Sequence, residues 1–163
     1  VTTVVSKLFN ITEADRAYFG LKDAQQLAVV KKMVKDLNMN IEIIPCPIIR
    51  EADGLAMSSR NTYLSSEERE AALSLSKALF EAEDSVKKGE KNISKLLDSI
   101  NKRISSEKLA NIEYIEAVDP ETLKNISDKV KDNAKDNAKD KVLIALAVKY
   151  GNTRLIDNII VEV

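Results

Sequence analysis

Residues 17–27, Ala17-Tyr18-Phe19-Gly20-Leu21-Lys22-Asp23-Ala24-Gln25-Gln26-Leu27, change their hydrophobic period in mid-stretch, from a strand-like run ending at Gly20 to a helical one. Leu27, Val30, Val34 and Leu37 recur at helical spacing, and Ile41, Ile43 and Ile44 then form a short β-branched run. The predicted elements are a strand near Ala17 to Gly20, a helix from Asp23 to Leu37 and a strand from Ile41 to Pro45. Two strands joined by a helix pair in parallel, which makes half of a doubly wound α/β sheet. The turn at Gly20 is also a ready anion site. First-turn N–H groups have no intrahelical partner, the helix dipole is positive there, and parallel sheets bind ligands along this edge.

Upstream, Val4-Val5-Ser6-Lys7-Leu8-Phe9 reads as the tail of a helix ending near Asn10. The chain opens without methionine inside this apolar run, and two parallel strands are too few to close a core, so an N-terminal truncation is expected. Downstream, Pro45 and Pro47 bracket the end of the second strand, and Glu51-Ala52-Asp53-Gly54 makes a turn. A boundary near residue 50 then separates a partial Rossmann-like domain, 1–50, from a second domain, 51–163.

In the second domain Ser65-Ser66-Glu67-Glu68 offers a capping box, followed by apolar Ala72, Leu75, Leu79 and Ala82, which predicts a helix to about Lys88. After Gly89, Ile93, Leu96, Leu97, Ile100 and Ile104 define a second amphipathic helix. Ile112 to Val118, Val142 to Val148 and Ile159 to Val163 read as three strands. Long connections without crossover helices favour a small α+β domain, with the helices on one face of a three-stranded antiparallel sheet. The Asp-Asn-Ala-Lys period within residues 131–140 alternates charge without an apolar stripe and reads as a solvated loop or frayed helix.

Composition narrows the chemistry. With 25 basic and 26 acidic residues the net charge is −1, which argues against a nucleic-acid footprint, so any cation must act locally. A single cysteine excludes an internal disulfide and fits a reducing, cytoplasmic setting. No stretch approaches the roughly 18 apolar residues of a membrane span. Histidine is absent, so acid–base work falls to Lys, Asp or Glu, and no metal-ligating cluster stands out. Cys46 has no histidine to activate it and reads as structural, and Asp119-Pro120 reads as a turn.

Two segments remain that carry chemistry. Gly20 lets a ligand approach the backbone, Lys22 can neutralise a phosphate, and Asp23 can accept hydrogen bonds from a ribose. Taken alone the same residues read as a helix cap with a surface lysine. Gln25 and Gln26 diverge by about 100° on the helix, so one amide can face a ligand while the other faces solvent. Met57-Ser58-Ser59-Arg60-Asn61 sets two hydroxyls beside the rigid donor fork of an arginine, although a serine-capped turn with a surface arginine is the plainer reading. Both segments together point to nucleotide chemistry.

The stretches from Asp15 to Leu27 and from Asp53 to Leu64, with the later Thr153-Arg154-Leu155-Ile156-Asp157-Asn158, resemble the C-terminal part of the pantothenate synthetase family. The resemblance runs nearly end to end. It implies an enzyme that joins pantoate to β-alanine at the expense of ATP, through a pantoyl-adenylate, with Mg2+ accompanying the nucleotide. By the same resemblance Gly20, Leu21, Lys22 and Asp23 belong to the ATP site, with Lys22 on phosphate and Asp23 on ribose. Ile49 lies beside the adenine, Met57, Ser58, Ser59 and Arg60 close on the nucleotide phosphates, and Gln26 holds pantoate. Lys22, Ser58, Ser59 and Arg60 are the implied catalytic residues, the second domain is a lid, and members are typically homodimers. Leu21 stands where the family usually has an acidic residue, which alters the edge of the site. The family's His-x-Gly-His segment has no counterpart here, so the chain alone is expected to be inactive. Other readings are a non-catalytic nucleotide-binding or dimerising module, or another nucleotidyl-transferring enzyme.

Overall fold

The computed structural model describes residues 1–126 and 141–163, and the chain divides into two compact units, 1–48 and 49–163. In the first, α1 (Thr2–Thr12) runs two residues past its expected end and stops where Glu13 turns left-handed at φ 50°. Phe9 of this helix meets Phe19 edge-on with ring centroids 6.4 Å apart, and the Ser6 hydroxyl donates to Met33 Sδ at 3.1 Å. β1 (Arg16–Gly20) pairs in parallel with β2 (Glu42–Cys46) over five rungs, from Arg16↔Glu42 to Gly20↔Cys46. Between them lie a 3-10 turn, Leu21–Asp23, and α2 (Ala24–Asp36).

The expected parallel pair with its connecting helix is therefore present, with three adjustments. The strand-to-helix change is not immediate, because the 3-10 turn intervenes. β2 sits one residue later than expected and includes Pro45, which a sheet with unpaired edges accommodates despite the missing N–H. The buried stripe of α2 is Leu27, Ala28, Val30 and Met33, while Leu37 caps the helix and is exposed. The chain has left the helix by Leu37, and the left-handed Asn38 turns it toward β2.

In the second unit α3 (Ser66–Lys87) starts at the expected capping box: the Glu68 N–H donates to Ser65 Oγ at 3.2 Å, and the Ser65 N–H donates to Glu68 Oε2 at 2.8 Å. Ala72, Leu75, Leu79 and Ala82 are buried, as their spacing requires. α4 (Ile93–Ser105) buries Ile93, Leu96, Ile100 and Ile104, the one-sided pattern its sequence predicts. β3 (Ala110–Val118), β4 (Lys141–Tyr150) and β5 (Thr153–Glu162) form an antiparallel sheet in that order. Val142, Ile144, Leu146, Val148 and Tyr150, alternate residues of β4, share one core with α3 and α4, so the helices cover one face. Each such side chain contributes about 1.5–3 kcal/mol on full burial.

β5 begins six residues before its expected start, because a tight turn at Gly151 and Asn152 returns the chain at once from β4. The pattern concealed this. Arg154, Asp157 and Asn158 interrupt the apolar alternation, yet Asp157 and Asn158 are buried within the strand. β3 starts two residues early and carries a bulge between Ile112 and Tyr114. Asp119 makes the expected turn, its Oδ1 accepting the Glu121 N–H, the Thr122 N–H and the Thr122 hydroxyl. The Asp-Asn-Ala-Lys period lies outside the described residues. Among those described, no helix is long and apolar enough to cross a membrane.

Candidate functional site

Gly20 ends β1 in an extended conformation, φ −69° and ψ 134°, which any residue can adopt. A Cβ placed there would meet no atom within 4 Å. The glycine therefore preserves open space at the strand end rather than an unusual torsion. Leu21 and Lys22 follow half-buried in the 3-10 turn. Asp23 caps α2, its Oδ1 accepting the Gln26 N–H at 3.1 Å. Capping uses one carboxylate oxygen and satisfies one first-turn donor. Of the two neighbouring amides Gln25 is exposed and Gln26 half-buried, the divergence that a helix imposes.

The second unit opens on a small hairpin. The Met57 N–H donates to the Ile49 carbonyl at 2.9 Å, Arg50 and Ala56 form an antiparallel bridge, and the Glu51 N–H donates to the Leu55 carbonyl at 2.8 Å. At the tip Gly54 has φ 96°, a conformation that strains any residue with a Cβ. Leu55 and Ala56 are buried on the return strand just after the tip, while Ile49 and Met57, paired at the open end, are 63% and 55% exposed. Ser58 then caps a short 3-10 helix, Ser59–Tyr63, by accepting the Arg60 N–H at 3.3 Å. Arg60 is exposed and forms no ion pair with another of the described residues.

Arg69 of α3 grips this hairpin, its Nη2 lying 2.8 Å from Glu51 Oε2 and 2.7 Å from Asp53 Oδ2. Asn61 Nδ2 donates to Glu51 Oε1 at 2.6 Å and to the Ala56 carbonyl at 3.2 Å. The Asn61 bond, followed by that from Arg69, holds the Glu51 carboxyl below its ordinary range, and the Arg69 bond does the same for Asp53. Because both carboxyls protonate less readily folded than unfolded, their contribution is fully present above the ordinary carboxylate range and is lost as pH falls below it. Acidification is therefore expected to loosen the hairpin before the core. The check is amide hydrogen exchange at Glu51 and Gly54, which should accelerate toward pH 3 relative to β4.

The predicted site residues thus fall into two local groups. Gly20, Leu21, Lys22, Asp23 and Gln26 cluster at one strand end, and Ile49 and Met57 to Arg60 gather at one hairpin. Arg69 carried no signal in the sequence; Glu51 reads there only as part of the Glu51–Gly54 turn and Asn61 only as the end of the Met57–Asn61 segment, neither with the hairpin-holding role found here. Among the described residues no group of three or more Cys, Asp or Glu side chains could hold a metal ion.

Residues 1–160 match the family model described as pantoate-beta-alanine ligase. A pantothenate synthetase of Acetivibrio thermocellus is 62% identical over 163 residues, which are 100% of this chain and 55% of the relative. The crystal structure of the Thermus thermophilus pantothenate synthetase matches with a TM-score of 0.85 and 37% identity, covering 97% of this chain and 54% of that one. A Francisella tularensis pantoate-beta-alanine ligase, complexed with beta-gamma ATP and beta-alanine, matches with a TM-score of 0.63 and 32% identity, covering 97% of this chain and 48% of that one. The chain spans about half the length of the curated relatives it matches.

Proposed function

The chain belongs to the pantoate-beta-alanine ligase family, and from that premise we propose that these residues carry the nucleotide-side share of an enzyme that condenses pantoate with β-alanine. The reaction would run in two steps. The pantoate carboxylate attacks the α-phosphorus of ATP and expels pyrophosphate; the β-alanine amine then attacks the acyl carbon of the pantoyl-adenylate and AMP leaves. The first step builds negative charge on the phosphoryl oxygens, and fixed cations and N–H donors aimed there stabilise the transition state more than the ground state. Lys22 and Arg60 are assigned that task, assisted by Ser58 and Ser59. The second step needs chiefly an amine held near an activated acyl carbon.

The observation that carries this reading is the open space above Gly20 at the end of a parallel strand, with Lys22 and an N-terminal helix turn directly following. Gly20, Leu21 and Lys22 would receive the phosphates, and the Asp23 carboxylate the ribose. The exposed pair Ile49 and Met57 suits the apolar face of adenine, and Gln26 would hold pantoate. Asp23 is the sole carboxylate among these assigned residues; the others offer cations, hydroxyls, the Gln26 amide and apolar surface. Such donors suit a phosphate rather than a bare divalent ion, so Mg2+ would arrive on the nucleotide.

The chain spans 55% of its Acetivibrio relative and contains no histidine, which supports a further part of the proposal: the 163 residues bind nucleotide but do not turn over alone. On this reading unit 1–48 belongs to a Rossmann-like ATP and pantoate domain, and unit 49–163 is its lid. The complete enzyme would be a cytoplasmic homodimer.

Gly20→Val provides the test. Its backbone suits any residue, so the unfolding free energy should stay within about 0.5 kcal/mol of wild type. A branched side chain in the phosphate position should weaken ATP binding at least tenfold by calorimetric titration. Unchanged affinity would remove Gly20 from the site.

A further inference from the structure

We propose that Asp157 of β5 is a positioning residue for the hairpin that carries Ile49 and Met57, acting through Arg50. In register Asp157 pairs with Leu146, and it shares its strand face with Leu155 and Ile159, so a carboxylate occupies a core-facing position where the pattern calls for an apolar side chain. The Asp157 side chain is 1% exposed. A buried charge is costly unless paired and hydrogen-bonded, and Asp157 is both. Arg50 Nη1 donates to Oδ2 at 2.7 Å and Nη2 donates to Oδ1 at 3.0 Å, while Oδ1 also accepts the Asn158 N–H at 2.8 Å.

Arg50 does more than neutralise. Its Nη1 also donates to the Gly54 carbonyl at 3.1 Å, and its guanidinium lies 4.9 Å from the Phe80 ring centroid. One side chain therefore ties the hairpin strand next to Ile49, the tip at Gly54, α3 and β5 together. Arg69 holds the same tip from α3 through Glu51 and Asp53. A hairpin held by a fork of fixed geometry cannot twist about its own axis, so the Met57–Ile49 rung and the Ser58 cap that follows keep their orientation. Neither partner need touch a ligand for this. Removing the fork frees the hairpin while leaving the helices and sheet paired.

This inference rests on the proposed function for its consequence but not for its geometry, and the test separates the two. Asp157→Asn keeps the side-chain shape and removes the charge; Arg50→Lys keeps the charge and removes the fork. In the 163-residue chain without nucleotide, both substitutions are expected to speed amide exchange at Glu51, Gly54 and Met57 at least tenfold, with β4 amides changing less than twofold. ATP titration should show at least tenfold weaker binding for Asp157→Asn and a smaller loss for Arg50→Lys. Exchange that is unchanged at the hairpin, or that rises equally in β4, would overturn the proposal, as would local loosening with wild-type ATP affinity. A wild-type chain that binds no ATP would instead contradict the proposed function, and the exchange result would still decide whether Asp157 positions the hairpin.

Discussion

Arg60→Ala and Lys22→Ala should each lower pantoate-dependent ATP–pyrophosphate exchange by about 10²–10³-fold, the usual cost of removing one donor from a preorganised oxyanion-stabilising group. The assay would use the chain joined by the complementary portion of a full-length relative. Arg60 is exposed and forms no ion pair with another of the described residues, so its truncation removes little folding energy. Its effect should therefore appear in the rate and not in the unfolding midpoint. Lys22 is half-buried in a 3-10 turn, so its truncation removes alkyl stem as well as charge. Lys22→Met, which keeps most of the stem, should give the same rate loss. If the two cations stabilise one developing charge, the double variant should lose less than the product of the single losses. Rates within threefold of wild type in either single variant would exclude that residue from the adenylation step.

Leu79→Ala should destabilise the second unit by about 2–5 kcal/mol, the range for a large core side chain cut to methyl. Leu79 is completely buried midway along α3 and belongs to the core that includes Leu75, Ile100 and Ile144. α3 also supplies Arg69 and Phe80, which hold the hairpin. A shifted denaturation midpoint with an unchanged slope would show that the loss is native-state packing. A shift below 1 kcal/mol would mean that α3 repacks freely, and that it is too soft a support for the hairpin.

Much of this architecture was legible because local signals agreed. The Ser65–Glu68 box, the α4 stripe and the β-branched run before Cys46 each name one element by periodicity or capping alone. The proposed site rests on a different kind of signal. Lysine, arginine and paired serines at a strand end or after a glycine turn are residue types chosen for phosphate chemistry, whatever surrounds them. What stayed hidden depends on contacts distant in sequence. Asp157 looks like a break in a strand until Arg50, 107 residues away, is seen to neutralise it. The first half of β5 was missed for that reason. Gly20 reads from sequence as a residue that lets a ligand approach the backbone; its torsions are ordinary, so what it contributes is the space around it. Leu37 had the spacing of a core residue and lost its place because the helix ended one residue earlier.

The most direct test of the account is pantoate-dependent ATP–pyrophosphate exchange, measured for the 163-residue chain alone and again with the complementary portion of a full-length relative added in trans. The account predicts no exchange by the chain alone and clear exchange after complementation, dependent on pantoate. Exchange by the chain alone would contradict the claim that it carries only the nucleotide-side share of the site. Exchange that is indifferent to pantoate would contradict the proposed substrate.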